Sequence, residues 1–296
     1  MALSTAQTAG PRNPGPPWGL RFLRLADLAL PEALFRPLRA AGTWVALALM
    51  APQRRASRTY LRAVLGREPR ANEQFRHFFA LCESLMLRLR VANGRAHRCV
   101  LGPDSGEFGT WLRTGGPAFL GTFHVGNSDL TGFLLAAQDH RRVHIVRHRV
   151  GNSDDTDALA RRLGGLVSYV WVNEPADLLF ALKEAGSSGE AVALQCDRAD
   201  HISRTECFDF LGAKRTFPFT IYHLAFIFNR PVFLSIGAPA GPGVSVVHAS
   251  PAFEPAPGES REAALARARA HFQAFLCRLE SYLRANPYDW LNFLPL

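Results

Sequence analysis

The stretch AFLGTFHVGNSD, residues 118–129, decides the fold class that the sequence predicts. Its apolar first part is typical of a buried strand, which ends at His124. Gly126 then permits a tight turn, and Asn127 or Ser128 can cap the helix that follows. Because a strand that turns directly into a helix is the repeating unit of α/β proteins, the same alternation is expected in the rest of the chain.

Six other short apolar runs alternate with helical stretches after residue 97. We therefore predict an α/β fold with a mixed, mostly parallel sheet flanked by helices and preceded by N-terminal amphipathic helices. The predicted strands are Arg98–Leu101, Ala118–Phe123, Val143–Val146, Val167–Val172, Ala191–Cys196, Val232–Ile236 and Val244–His248. The predicted helices are Asn127–Asp139, Asp155–Leu163, Ala176–Ala185, Phe217–Phe228 and Ser260–Ala285.

The chain divides into three regions by composition. Residues 1–17 are rich in Pro, Gly and Ala and predict a disordered tail, and residues 96–296 form the α/β domain. Residues 18–95 predict a helical, membrane-associating region, broken at Pro31, Pro37 and Pro52 and ending in a regular helix. Its first helix combines apolar and basic residues, as interfacial helices do. An ordinary helix packed on its own domain is the alternative.

The charge balance indicates an anionic partner. The chain has 296 residues, of which 34 are Lys or Arg and 25 are Asp or Glu, so the net charge is 34 − 25 = +9. The only lysines are Lys183 and Lys214, so guanidinium groups, which bind phosphate and carboxylate in a fork, supply almost all of the positive charge. With 48% apolar residues the chain also has enough material for a large core, which excludes a disordered protein.

Several common enzyme signatures are absent from the sequence. It has no G-x-S-x-G elbow, no G-x-x-x-x-G-K-[ST] loop and no G-x-G-x-x-G turn after a strand. Ordinary α/β-hydrolases, P-loop nucleotidases and dinucleotide-binding enzymes are therefore disfavoured.

His124 and Asp129 are the first candidates for chemistry. His124 ends a strand, where α/β sheets bind their ligands, and Asp129 falls in the first turn of the next helix. A carboxylate at that position would fix the tautomer of the ring, so that the other ring nitrogen could take a proton from a substrate hydroxyl or amine. A capping Asp beside a hydrogen-bonded His is the alternative.

Two further strand ends carry charged side chains. Asp197 and Arg198 follow the strand Ala191–Cys196, and Arg147 and Arg149 end the strand that begins at Val143. Two guanidinium groups at this edge could hold phosphate. Pairing between Asp197 and Arg198, and plain surface charge, are the alternatives.

In this order and spacing the segments resemble the lysophospholipid acyltransferase superfamily. The most similar branches are the bacterial lipid A late-acyltransferase type and the predicted acyltransferases of aryl-polyene pathways. The resemblance rests on GTFHVGNSD at 121–129, HIVRHRV at 144–150, CDRAD and FDFLGAKRTFPF within 196–219, and NPYDWLNFLPL at 286–296.

The resemblance implies transfer of an acyl group from an acyl-carrier-protein or coenzyme A thioester to a hydroxyl or amine of a lipid-like acceptor. It makes His124 the general base and Asp129 its partner. The remaining candidates, which would bind substrate or shape the site, are Asn127, Arg147, Arg149, Asp197, Arg198 and Gly212. Backbone N–H groups of the turn after His124, or a nearby Arg, would stabilise the oxyanion.

The resemblance implies no metal and no cofactor beyond the thioester co-substrate. It implies an anionic membrane surface as partner, no nucleic acid, and a peripheral or monotopic position on the cytoplasmic face of the cell inner membrane. Two alternatives stay open. One is a metal-dependent hydrolase that uses His124, Asp129, Asp197 and His201, and the other is a non-catalytic basic protein that binds lipid or nucleic acid.

Overall fold

A computed structural model describes residues 17–138, 140–147, 161, 165–171, 182–198 and 204–294. Within these residues the helices are α1 (Pro17–Ala29), α2 (Glu32–Leu49), α3 (Ala51–Leu65), α4 (Ala71–Ala92), α5 (Gly106–Thr114), α6 (Ser128–Gln138), α7 (Thr220–Phe228) and α8 (Arg261–Ala285), with a short helical segment at 182–187. The strands are β1 (Arg98–Leu101), β2 (Ala118–Gly126), β3 (Val143–Arg147), β4 (Val167–Trp171), β5 (Ala191–Gln195), β6 (Thr205–Phe210), β7 (Ala213–Pro218), β8 (Val232–Pro239) and β9 (Val244–Ala249).

Seven of these strands form one sheet in the order β1-β9-β8-β2-β5-β3-β4. Only β8 and β9 pair antiparallel, and the other neighbours are parallel. Apolar clusters cover both faces: one lies beneath α3, α7 and α8, and the other beneath α5 and α6. The predicted α/β class, with a mixed, mostly parallel sheet between helices, is confirmed.

All seven predicted strands are present, but the structure adds elements that the sequence did not predict. β6 and β7 form a separate antiparallel hairpin. The helix predicted from Phe217 is wrong at its start, because Phe217 and Pro218 end β7 and the helix begins at Thr220. Helix α5 was also not predicted. Most of the predicted helix Asp155–Leu163, and the first part of Ala176–Ala185, lie outside the described residues.

The N-terminal helices follow two of the three predicted breaks. Pro31 separates α1 from α2, and Pro52 lies in the first turn of α3. The break predicted at Pro37 is wrong, because Pro37 lies inside α2. The buried guanidinium of Arg39 pairs with Glu32, on the other side of this proline, at 2.6 Å, so an ion pair spans the position where the helix lacks one backbone donor. Of the predicted tail, only Pro17 is described, and it begins α1.

Candidate active site

The sheet brings His124 and Asp197 together at one edge. Strands β2 and β5 are parallel neighbours, with Thr122 opposite Gln195. His124 and Asp197 each follow two residues later, so the parallel alignment places them side by side, with His124 near the carboxyl end of β2 and Asp197 just beyond that of β5. Ligands of α/β sheets bind at this edge.

The Asp197 carboxylate holds His124 at two points. Its Oδ1 lies 2.8 Å from the ring Nδ1, and its Oδ2 accepts the backbone N–H of His124 at 2.9 Å. The Asp197 side chain has no exposed surface, and the His124 side chain is 9% exposed. Because a carboxylate accepts, Nδ1 carries the proton and Nε2 presents its lone pair. This is the arrangement of a general base with an orienting acid.

Asp197 therefore makes the Nδ1 contact that the sequence analysis gave to Asp129. Asp129 lies in the first turn of α6, as predicted, but its side chain is outside what the structure describes. The contact between His124 and Asp197 spans 73 residues of sequence and depends on strand pairing, so local spacing could not have revealed it.

The backbone N–H groups of the turn after His124 are held by carbonyl groups of other segments. Gly126 has a positive φ of 52°, and its N–H donates to Asp289 O at 2.7 Å. The N–H of Asn127 donates to Gly237 O at 2.7 Å. Both amides are therefore engaged and cannot receive an oxyanion in this conformation, contrary to the expectation for this turn. A nearby Arg was the other predicted donor, and Arg198, which directly follows Asp197, is an arginine at this strand end; its guanidinium donates to Asn292 Oδ1 and to Leu291 O.

The C-terminal segment, residues 289–294, lies against both members of the pair. Leu291 N–H donates to His124 O at 2.6 Å, and Trp290 forms an isolated antiparallel β-bridge with Val125. Asn292 Nδ2 donates to Asp197 O at 2.7 Å, and Arg198 Nε donates to Asn292 Oδ1 at 3.1 Å. In the sequence this segment contributed only to the family resemblance, and no role was predicted for its residues.

Helix α4 supports the C-terminal segment from behind. His77, fully buried, donates from Nε2 to Trp290 O at 2.5 Å, and its Nδ1 accepts the hydroxyl proton of Ser57 at 2.9 Å. Burial lowers the pKa of His77 to about 4, so this ring is neutral at physiological pH. Ser84 of the same helix donates to Gly126 O at 3.1 Å. The helical region thus contacts the edge of the sheet that carries His124, through the C-terminal segment and Gly126.

The remaining predicted residues have more varied places. Arg147 ends β3 at the same edge of the sheet, with its guanidinium 5.7 Å from the Tyr169 ring centroid. The Asn127 amide is buried and donates to Ser245 Oγ at 3.0 Å. Gly212 has a φ of 74° in the two-residue turn of the β6–β7 hairpin, which explains this glycine by turn geometry. Arg149 lies outside the described residues.

A cavity of about 400 Å³ lies beside the turn, which is within the usual size range of ligand pockets. It lies between α4 and the loop that joins β8 to β9, and Gly126, Asn127 and Leu291 form part of its wall. Its polar lining comes chiefly from Glu83, Ser84, Arg90, Arg95, His97 and Asp289.

A metal-dependent hydrolase would need a cluster of metal ligands. In the part of the chain that the structure describes, no three His, Cys, Asp or Glu side chains are grouped so that they could hold a metal ion. His201, which that alternative needs, lies outside this part.

Comparisons with known proteins assign no family to this arrangement. A scan of protein-family models found no match to the chain, and a search of curated proteins found none.

Proposed function

We propose that the protein is a membrane-associated acyltransferase. It moves a fatty acyl or aryl-polyene acyl group from an acyl-carrier-protein or coenzyme A thioester to a hydroxyl or amine of a lipid-like acceptor. The observation that carries the proposal is the buried Asp197 carboxylate on Nδ1 of His124, which leaves Nε2 as a base at the ligand edge of the sheet. The sequence resemblance supports the same reaction.

In this mechanism Nε2 of His124 accepts the proton of the acceptor hydroxyl or amine as its oxygen or nitrogen attacks the thioester carbon. Asp197 stabilises the imidazolium that forms. The tetrahedral intermediate then collapses, the carbon–sulfur bond breaks, and the imidazolium returns the proton to the leaving thiolate. Arg198, next to Asp197 in the chain and bonded to Asn292, is the proposed cation for the oxyanion.

The surface of α1 and α2 supports a position on a membrane. Large apolar side chains are exposed along both helices and their junction: Phe22, Leu25, Leu28, Leu30, Leu34, Leu38, Trp44, Val45, Leu49 and Met50. Exposed apolar side chains grouped on two neighbouring helices are typical of a surface that binds a partner or a membrane. Among the described residues no helix is both long enough and apolar enough to cross a bilayer.

The charges of these two helices favour an anionic lipid surface. Their only acidic residues, Asp27 and Glu32, pair with Arg90 and Arg39. Arg21, Arg24 and Arg36 are exposed beside the apolar side chains. Such a surface lies in the headgroup region, with its cations on anionic lipid. We place the protein on the cytoplasmic face of the inner membrane, where acyl-carrier-protein and coenzyme A thioesters are available.

The test offers acyl-carrier-protein and coenzyme A thioesters with a bacterial lipid extract and follows the lipids by mass spectrometry. Wild-type protein should form a new acylated lipid, and His124→Gln should be slower by at least about 10²-fold, as for loss of a positioned base. His223→Gln is the matched control, because His223 lies on α7 and hydrogen-bonds Arg261. Bound lipid without any acylation would instead support the non-catalytic lipid-binding alternative.

A further inference from the structure

Asn292 connects the parts of the candidate site with a single side chain. It is 5% exposed and lies in the C-terminal segment. Its Nδ2 donates to the carbonyl oxygen of Asp197 at 2.7 Å, while its Oδ1 accepts from Arg198 Nε at 3.1 Å. One amide therefore binds two consecutive residues at the end of β5, using both its donor and its acceptor.

The backbone around Asn292 is tied to the other member of the pair. The preceding residue, Leu291, donates its N–H to His124 O at 2.6 Å and accepts from Arg198 Nη2 at 3.4 Å. The same short segment thus fixes the end of β2, which carries His124, and the end of β5, which carries Asp197. The carboxylate can meet both the ring and the backbone of His124 only if these two strand ends keep their relative position.

We propose that Asn292 is a positioning residue of the acyltransferase site, which rests on the proposed function. It holds Asp197 against Nδ1 of His124 through its bond to Asp197 O, and its bond to Arg198 Nε ties the next residue to the same amide. Groups that orient a catalytic residue from behind typically change activity by about 10–100-fold when removed.

Three variants separate positioning from folding. Asn292→Ala removes both hydrogen bonds. Asn292→Asp has nearly the same size and keeps an acceptor for Arg198, but it replaces the donor to Asp197 O with a carboxylate oxygen. Asn286→Ala is the matched control, since Asn286 is exposed and its Nδ2 donates to Tyr282 O at the end of α8, at 3.1 Å.

The first readout does not depend on activity. In protein labelled with ¹⁵N-histidine, the Nδ1–H proton of His124, identified by its loss in His124→Gln, should exchange slowly with water. In Asn292→Ala and Asn292→Asp this signal should exchange at least about tenfold faster or disappear, while Asn286→Ala should retain it. A signal unchanged in both Asn292 variants would overturn the proposal, and a melting temperature for each variant shows that it is folded.

The second readout is the acyl-transfer rate. The folded Asn292 variants should lose about 10–100-fold in kcat with little change in the KM for the thioester, since the chemical step and not binding is affected. Unchanged kcat would overturn the proposal even if the exchange rate rises. If wild-type protein transfers no acyl group, the proposed function fails, and the exchange measurement alone decides whether Asn292 positions the pair.

Discussion

The edge of the sheet that carries His124 and the outer surface of α1 and α2 use their side chains in opposite ways. At the edge the polar groups are buried and bonded to one another, as in the contact between His124 and Asp197. On α1 and α2 the acids are paired with arginines, and many large apolar side chains are exposed. The first region therefore depends on the position of single atoms, and the second on total area and charge.

This difference predicts how each region responds to substitution. A change of one atom at the edge leaves a buried group without its partner, which costs about 1–3 kcal/mol or disrupts the geometry of the reaction. A change on the exposed helix surface leaves folding within about 0.5 kcal/mol of wild type and alters only binding to a surface. Three variants, ordered by the size of the effect expected at neutral pH, test the contrast.

The largest effect on stability is expected for Gly126→Ala. The new Cβ would lie 2.6 Å from Gly237 O and 2.8 Å from Pro239 Cδ, and a φ of 52° is unfavourable for alanine. We expect a loss of about 2–4 kcal/mol in the free energy of unfolding, measured by denaturant titration. Gly132→Ala is the control, because Gly132 lies inside α6 with open space around it, and it should be neutral or slightly stabilising.

A smaller effect, confined to membrane binding, is expected for the double variant Leu28→Ser and Leu34→Ser. These side chains are 68% and 63% exposed, so their loss should not change unfolding. Each buries apolar area only when the helices meet lipid, so binding to vesicles with anionic lipid should fall at least about tenfold.

The control for membrane binding is Ile227→Ser, because Ile227 is 67% exposed but lies on α7. Vesicle sedimentation of the three proteins makes the comparison. Equal binding by the Leu28 and Leu34 variant and wild type would show that α1 and α2 are not the membrane surface.

The effect that is smallest at neutral pH is a change in the pH dependence of stability. The pKa of His77 is lowered by burial from its ordinary 6.5 to about 4, so the unfolded chain binds a proton that the folded protein excludes. The stabilising contribution of the neutral ring is complete above about pH 6.5 and is lost as the pH falls to about 4. His77→Gln keeps a donor for Trp290 O but does not titrate, so its stability should depend less on pH in this window. The check is to record melting curves of wild type and His77→Gln at several pH values. If His77 were not responsible, the melting temperatures of the two proteins would change equally with pH.

The sequence predicted the fold better than it predicted the site. Apolar runs identified every strand of the large sheet, because buried strands are short and apolar on both faces. The β6–β7 hairpin was missed because its residues alternate between exposed and buried, and its end was joined to the apolar helix α7.

At the site, strand ends correctly indicated that His124 and Asp197 share one edge of the sheet. Which carboxylate contacts Nδ1 depends on the alignment of β2 with β5, and the role of Asn292 depends on a segment that returns from the far end of the chain. Neither can be read from local spacing. The combination of apolar and basic residues in the first helix was easier to identify from the sequence. It depends on which residues are present and not on how distant strands align.

The most direct test of the account compares acyl transfer by Asp197→Asn and Asp129→Asn under identical conditions. Both substitutions keep the size of the side chain and remove one charge. If the Asp197 carboxylate orients His124, Asp197→Asn should lose at least about 10²-fold in kcat and fall toward the rate of His124→Gln. Transfer at the wild-type rate by Asp197→Asn, with Asp129→Asn inactive, would contradict the account and return the partner role to Asp129.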